Sequence, residues 1–549
     1  SKRMLLLGNA GMGKSCFSKE FMRTWAEGKN DHYKCIIYLM FQELNSIEQD
    51  ISIKELLERK CKSLFSVLKL KNPDELLIIL DGLDEFKYDL DLDNRPSGSD
   101  VDTPFHISVL VSKLIARDLL PDADVMVTAP WNFLNKLEKY FTCVFVLKGF
   151  DDQQIKQYFD HFLEDSNQSQ KIYDFIKNNN ISDFASVPLY SFILHQIIKN
   201  LVTFENSLKN LNTCSQFLTH FLKTCLGNIL KARKNFCVDA TVDSVKEENL
   251  ETFVKQLGEL SYRSRLCGQL TAKVADLKKC GLSEEKLTEY FSYFFCKKHS
   301  NGNSFEYLHP TVQEMFAAFY CACVVRDDEL RECLNAWVRG IVPQNVESKL
   351  LFGVTADYKL QLENFTRLFM GFLSIGSYSS LHSDTATLKG TTREILIKWF
   401  QDWLREFPPD NCLKLLHYIF ELQDFDVAKR VSECINHINL CNKPLGAMDV
   451  KALHFSLKES KLKELDLRLC ELEDKDVKQL KDILVNFTTR TLLIFDRINV
   501  QACCSNVGTI CSKKTVILDL TLRSNKLNEE SGKILSEVLQ TPECVIEVL

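Results

Sequence analysis

The sequence predicts a multidomain α/β protein: a phosphate-loop domain on a five-stranded parallel sheet, a long helical region, then a C-terminal α/β repeat array. Three observations carry this. Apolar runs alternate with helical patterns over the first 150 residues. A glycine-rich turn, Gly8-Asn9-Ala10-Gly11-Met12-Gly13-Lys14-Ser15, joins the first apolar run to the first helix. Near the C terminus a leucine frame recurs at steps of 28 and 27 residues, from Leu467 to Phe495 to Leu522.

The first strand is expected from Met4 to Leu7, followed by the turn and by a helix over Gly13–Ala26. The turn has the spacing G-x-x-x-x-G-K-[ST]. Its glycines let backbone N–H groups curl round phosphate oxygens, and the helix points its positive end at the same anion. Gly8 through Ser15, with Cys16 behind them, form the candidate phosphate-binding segment. Lys14 is placed to reach the β/γ-phosphates and Ser15 to ligate Mg²⁺. The next apolar run, "KCIIYLMF" (Lys34–Phe41), is the second strand, and a helix is expected near Ile53–Leu64. The run "LLIILDGLDEF" gives a buried strand, Leu76–Leu80, ending in Asp81. An Asp at a strand's carboxyl end beside a phosphate loop is a Walker B metal ligand. Asp84 and Glu85 follow within one turn and are the candidate catalytic carboxylates, Glu85 the one that orients and activates the attacking water. Helices near Ser108–Arg117 and Trp131–Tyr140, with strands in "DVMVTAP" (Asp124–Pro130) and "CVFVLKGF" (Cys143–Phe150), complete the sheet. An extra strand between the phosphate-loop and Walker B strands is the pattern of the additional-strand class of ATPases. The acidic stretch Asp89–Asp100 reads as a solvated insertion: its spacing lacks the Gly and the final Glu of a calcium loop.

Beyond Asp151 the pattern is helical to about Glu205, and it contains "ASVPLYSFI". A mixed segment follows to Val325, ending in "SFEYLHPTVQEMFAAFYCACVV". A short strand, Phe305–Leu308, leads through His309 and Pro310 into a helix whose Val312, Met315, Phe316, Phe319 and Cys323 make a buried stripe. Helices dominate to about Asn442, with amphipathic runs such as Thr392–Phe407. In the final hundred residues Leu465, Leu467, Cys470 and Leu472 match Leu520, Leu522, Asn525 and Leu527. A weaker copy between them supplies Leu493, Phe495, Ile498 and Val500. This is the leucine-rich period, and "CVIEVL" fits the start of a fourth strand in an array that reads as cut short.

Composition narrows the class. A chain of 549 residues with 45% hydrophobic content supports several cores, and a formal charge of −6 gives no global attraction to nucleic acid. There is no run of 18 apolar residues that would span a membrane. Twenty-one scattered cysteines without C-x-x-C pairs fit reduced thiols rather than zinc or a disulfide framework. With Ser1 and the first strand so close, the chain reads as an excised piece.

Taken in order, the phosphate loop, "DGLDE", the helical bundle, "LHPTVQEMFAAFY" and the leucine-rich repeats resemble the NOD-like receptors, signal-transducing (STAND) ATPases with a NACHT domain. The resemblance implies five divisions: nucleotide-binding domain 1–150, first helical domain 151–205, winged-helix domain 206–325, second helical domain 326–445 and leucine-rich repeats 446–549. It implies ATP/ADP and Mg²⁺ as ligands, with Ser15 and Asp81 on the metal. Pro188 of "SVPL" is placed against adenine, and His309 at the β-phosphate of ADP in a closed state. Family members usually end strand four with Thr-Ser-Arg-Pro; here Ala129 stands at the arginine position, so nucleotide sensing is weak there or another cation substitutes. The implied function is a cytoplasmic innate immune switch with weak ATPase activity. ADP holds a closed monomer, and sensing a ligand through the repeats or helical domains opens it to self-oligomerise. An effector adaptor would engage a domain upstream of this chain. The rival readings are a transcriptional or signalling regulator of the same family, a turnover phosphate-loop ATPase such as a motor, and a nucleotide-dead repeat scaffold, which the intact Walker motifs oppose.

Overall fold

In the computed structural model the first apolar run is β1 (Arg3–Leu7) and the turn after it opens a helix over Lys14–Ala26. The structure describes residues 2–29, 32–61, 75–163, 166–178, 181–200, 211–224, 243–267, 269–283, 287, 295–297, 304–307, 309–343, 348–351, 362–374, 387–406, 412–441, 443, 445–460, 462, 464–467, 470, 472, 476, 479–480, 483, 491–494, 517–521, 533, 536–537 and 540. The chain divides into two units, one of residues 1–209, 224–317 and 335–364, the other of 210–223, 318–334 and 365–549.

The first unit holds the predicted sheet. Strands β2 (Cys35–Met40), β3 (Leu76–Asp81), β4 (Asp124–Ala129) and β5 (Cys143–Val146) join β1 in the order β2-β3-β4-β1-β5, all parallel. β4 lies between β1 and β3, which is the additional-strand arrangement. β3 and β4 are buried at every position, as continuous apolar runs in the middle of a two-faced parallel sheet must be. Alternate residues serve opposite faces. Leu5, Leu7, Ile78, Leu80, Val125 and Val127 pack with the helices Ile53–Lys60 and Ile107–Ile115. Leu77, Ile79 and Met126 pack with Phe21, Met22 and Trp25 of the helix after the loop. At the sheet's other end the buried Arg3 guanidinium donates to the carbonyls of Leu114 (3.2 Å) and Ala123 (2.5 Å). It thereby adds a buried donor to carbonyls at and just beyond the end of the helix Ile107–Ile115.

One expected element differs. Residues 131–140 form three short pieces, Trp131–Phe133, Leu134–Leu137 and Glu138–Tyr140, the outer two 3₁₀, rather than one α-helix. Trp131, Leu134, Leu137 and Tyr140 all pack on the core. Their spacing of three is the period of the tighter helix. In the 89–100 insertion, Asp91 accepts the N–H groups of Asp93 and Asn94, while Asp93 takes Lys139 and Tyr140.

The rest of the first unit comprises helices Asp152–Phe162, Ser166–Asn178, Ser182–Ala185, Pro188–Asn200 and Asp243–Leu266. It also has a small antiparallel sheet of β6 (Thr271–Lys273), β7 (Phe295–Lys297) and β8 (Ser304–Tyr307), in the order β6-β8-β7. The strand expected at Phe305–Leu308 is therefore present, although Leu308 lies outside the described residues. The helix after it is Pro310–Val324, and its predicted stripe is largely buried: Val312, Met315, Phe316 and Phe319 are covered, Cys323 partly.

The second unit carries the helices Glu363–Leu373, Gly390–Glu406, Cys412–Leu422, Phe425–Ser432 and Ala447–Leu457. A buried carboxylate ties three of its segments together. Glu421 accepts the N–H groups of Cys214 (3.2 Å) and Ser215 (3.0 Å) and the Ser215 hydroxyl (2.7 Å), and it pairs with Arg367 at 3.3 Å. Its last element is a parallel ladder of β9 (His437–Asn439), β10 (Glu464–Asp466), β11 (Thr491–Ile494) and β12 (Ile517–Thr521). The register Ile438↔Leu465↔Leu493↔Leu520 follows the leucine frame and extends it one strand upstream of residue 446. Leu465, Leu467, Cys470 and Leu472 are buried, and the Cys470 thiol donates to the carbonyl of Leu440 (3.1 Å), tying one turn to the preceding one. Phe495, Ile498, Val500, Leu522, Asn525, Leu527 and "CVIEVL" lie outside the described residues.

Candidate phosphate-binding site

The loop sits where β1 ends. Gly8 is buried and its N–H donates to Ala129 on the neighbouring strand (3.2 Å). Asn9 and Ala10 are exposed, Gly11 to Lys14 partly covered, and Ser15 and Cys16 exposed at the helix start. Gly13 caps the helix in the left-handed region (φ 90°), and a Cβ there would meet nothing within 4 Å. That combination is what a loop wrapping an anion requires: a conformation side chains resist, facing open space. Lys14 Nζ donates to the carbonyls of Gly8 (2.6 Å) and Asn9 (3.1 Å), folded over the cradle. Burial lowers its proton affinity, while Asp84, then Asp81, then Glu85 raise it. One cation thus faces all three acidic residues singled out in the sequence.

Asp81 ends β3 and is buried. Its two oxygens accept from the Tyr38 hydroxyl (2.6 Å) and the Thr128 hydroxyl (2.6 Å). Thr128 in turn accepts the N–H of Gly82 (2.8 Å), so one hydroxyl fixes both the carboxylate and the turn after it. Asn45 holds the far side of the turn, donating to Glu85 O (2.7 Å) and accepting from Lys87 N (2.9 Å). Glu85 folds back over Gly82: its Oε2 lies 3.1 Å from where a Cβ on that glycine would sit. Burial first, then the charge of Asp84, push its carboxyl up to about 8, against the pull of Arg265. Ala129 is fully buried and packs in the same apolar cluster as Leu7.

Two distant segments close on the loop. The backbone of 186–189 runs along it: Leu189 N donates to Gly11 O (3.2 Å) and Phe150 N to Ser186 O (2.6 Å). Gly149 (φ 86°) is required there, because a Cβ would come within 2.3 Å of Ser186 O. Pro188, first residue of its helix, is thereby held beside the loop, as helix boundary and loop neighbour at once. His309 comes from further still. Its Nδ1 accepts the N–H of Thr311 (3.1 Å), which leaves the proton on Nε2 as a free donor group. Burial, then the nearby Lys14 charge, push the imidazole down to about 4, so it is neutral near pH 7.

The structure thus gathers Gly8–Cys16, Asp81, Asp84, Glu85, Pro188 and His309 around one loop. Sequence reading missed Tyr38, Thr128 and Asn45. Their only signal was polarity in or beside apolar runs.

A parallel β2-β3-β4-β1-β5 sheet with this loop at the end of β1 defines a phosphate-loop nucleotide-binding domain of the additional-strand type. Comparison with known families is consistent: residues 2–166 match the NACHT domain, and residues 309–430 match the NLRC4 helical domain HD2. Residues 2–166 are thus similar to the NACHT domain, and the resemblance to NOD-like receptors runs over nearly the whole length of the chain. It is 23% identical to NACHT, LRR and PYD domains-containing protein 1 homolog of Danio rerio, over 97% of this chain and 38% of that one. It is 22% identical to NACHT, LRR and PYD domains-containing protein 4E of Mus musculus, over 100% of this chain and 53% of that one. It is 25% identical to nucleotide-binding oligomerization domain-containing protein 1 of Homo sapiens, over 89% and 57% respectively. The chain therefore spans 38% to 57% of the length of these three relatives. No helix among the described residues is long and apolar enough to cross a membrane.

Proposed function

We propose that this chain is the nucleotide-operated switch of a cytoplasmic innate immune receptor. ADP is retained in a closed monomer, and exchange for ATP on ligand sensing favours an open form that self-associates. The observation that carries the reading is that the charge of Lys14, folded over the phosphate cradle, reaches the imidazole of His309, nearly three hundred residues away in sequence. The residues suit Mg²⁺ with ATP or ADP: an open glycine cradle, one lysine, the Ser15 hydroxyl and the Asp81 carboxylate. Gly8 to Cys16 hold phosphates, Ser15 and Asp81 hold the metal, Pro188 borders the base, and His309 Nε2–H donates to phosphate in the closed state. Bound metal would neutralise phosphate charge; Glu85, with Asp84 beside it, would take a proton from water.

Moving a switch from mostly closed to mostly open needs roughly 5.5 kcal/mol of differential interaction. The contacts of 186–189 on the loop, and the phosphate bond that His309 would donate, are where part of that difference is stored, because those segments leave the loop on opening. In this reading residues 206–325 form the winged-helix domain, 326–445 the second helical domain, and the β9–β12 ladder belongs to a leucine-rich sensor.

The test is the nucleotide retained after gentle purification. The expected result is ADP at near one per chain, lost on Lys14→Ala with the sheet still folded by circular dichroism. Unchanged ADP affinity in that variant would remove Lys14 from the site.

A further inference from the structure

Three polar side chains form a row across neighbouring strands at the carboxyl end of the sheet. Alternation along β3 puts Leu77, Ile79 and Asp81 on the face that carries the helix Lys14–Ala26. The same alternation puts Met126 and Thr128 of β4 there, with Ile36 and Tyr38 of β2. The face is apolar through Ile79 and Met126, and at the next step it turns polar. Asp81 then stands between a hydroxyl from each neighbouring strand: Tyr38 donates to its Oδ2 and Thr128 to its Oδ1, each at 2.6 Å. The Tyr38 ring packs on the cluster of Tyr33, Leu77, Ile79 and Met126, so the hydroxyl is delivered by a side chain that is itself held. The turn after Asp81 has its own supports in Thr128, which accepts from Gly82 N, and in Asn45, which bonds Glu85 O and Lys87 N. The Tyr38 hydroxyl is therefore spent on the carboxylate alone.

The last torsion of an aspartate is broad and soft, and a donor on each oxygen removes that freedom. Each oxygen accepts one bond, and a carboxylate has about four lone-pair positions, so capacity for a cation remains. Rigidity matters more to one cation than to another: Mg²⁺ demands a near-ideal octahedron, whereas Ca²⁺ accepts irregular, flexible ligand sets. We propose that Tyr38 is a positioning residue for the metal site, fixing Asp81 in the orientation that serves Mg²⁺ and so making the site prefer Mg²⁺ to Ca²⁺. This role rests on the proposed placing of metal at Ser15 and Asp81, and not on the opening of the switch. It gives the inserted strand β2, which holds no residue of the loop or of the "DGLDE" turn, a task at the site.

Binding of Mn²⁺ to the full chain reads this without hydrolysis. Mn²⁺ suits octahedral oxygen sites as Mg²⁺ does, and its free concentration is counted by electron paramagnetic resonance, with and without ADP. Mg²⁺ and Ca²⁺ are then added as competitors. Tyr38→Phe removes one oxygen and keeps the packed ring; it should weaken Mn²⁺ and Mg²⁺ about tenfold, the loss usual when the partner behind a metal ligand is removed. Ca²⁺ should weaken by no more than about threefold, and ADP affinity in excess EDTA should stay within about twofold. A merely loosened fold would lower all of these together. Unchanged or tighter Mg²⁺ in the variant, or equal losses for Mg²⁺ and Ca²⁺, overturn the proposal. A wild-type chain that prefers Ca²⁺, or takes no metal with or without ADP, overturns it whatever the variant does. The selective loss of Mg²⁺ in a chain that binds no ADP upholds Tyr38 and sinks the switch reading; retained ADP with Mg²⁺ unshifted does the reverse.

Discussion

Glu85 and Asp81 occupy one turn and face different tasks because their surroundings differ. Asp81 is held by two hydroxyls, which fix both its oxygens in place, whereas Glu85 is pushed up to about 8 by burial and Asp84. A base must be deprotonated to act, so single-turnover ATP cleavage should rise with pH through about 8 and level off above it. Glu85→Gln should keep ATP bound and slow cleavage at least about a hundredfold. Wild-type rates in that variant would move the role to Asp84. Thr128 is the residue whose importance was hidden. Thr128→Val leaves the Gly82 N–H unpaired and removes one donor from Asp81, at a cost of about 1–3 kcal/mol in urea unfolding. A change within about 0.5 kcal/mol would mean that water or a neighbouring group replaces the hydroxyl. The Walker residues were legible in the sequence because their chemistry demands fixed spacing within a few positions. Tyr38 and Thr128 were not, because their partner lies about forty-five residues away and nothing local marks a hydroxyl that points at it.

At the scale of elements, legibility followed periodicity. The five strands and the loop helix stand close to where apolar runs placed them, since central parallel strands are buried on both faces. Residues 131–140 misled because a spacing of three and one of 3.6 differ little over ten residues. β9 was missed because its single buried residue, Ile438, gives no frame by itself. The Glu421 clasp was invisible for the same reason as Thr128. Truncating it by Glu421→Ala should cost about 3–5 kcal/mol, since Arg367 and the Ser215 hydroxyl lose a buried partner. Gly371→Ala should also destabilise, because its Cβ would fall 1.9 Å from Ser215 Oγ. Calorimetry of both variants against wild type checks this, and unchanged melting in both would show that the second unit does not depend on the clasp.

At the scale of the whole molecule, the proposed switch depends on one residue reaching across the chain. His309 belongs to the segment that follows β8, yet its imidazole feels the charge of Lys14. In the proposed switch the neutral imidazole, with Nε2–H free to donate, stabilises a bound phosphate only while its segment stays docked. Losing a hydrogen bond to a charged group is worth about 1.5–3 kcal/mol, which raises an open population roughly ten- to a hundredfold. His309→Leu keeps similar bulk and removes the donor. The decisive measurement is the ADP dissociation rate of His309→Leu beside wild type, with sedimentation velocity on the same samples. Faster ADP loss together with self-association in the absence of any added ligand is the predicted result. A monomer with the wild-type ADP off-rate would contradict the account and leave His309 as an ordinary helix-start residue.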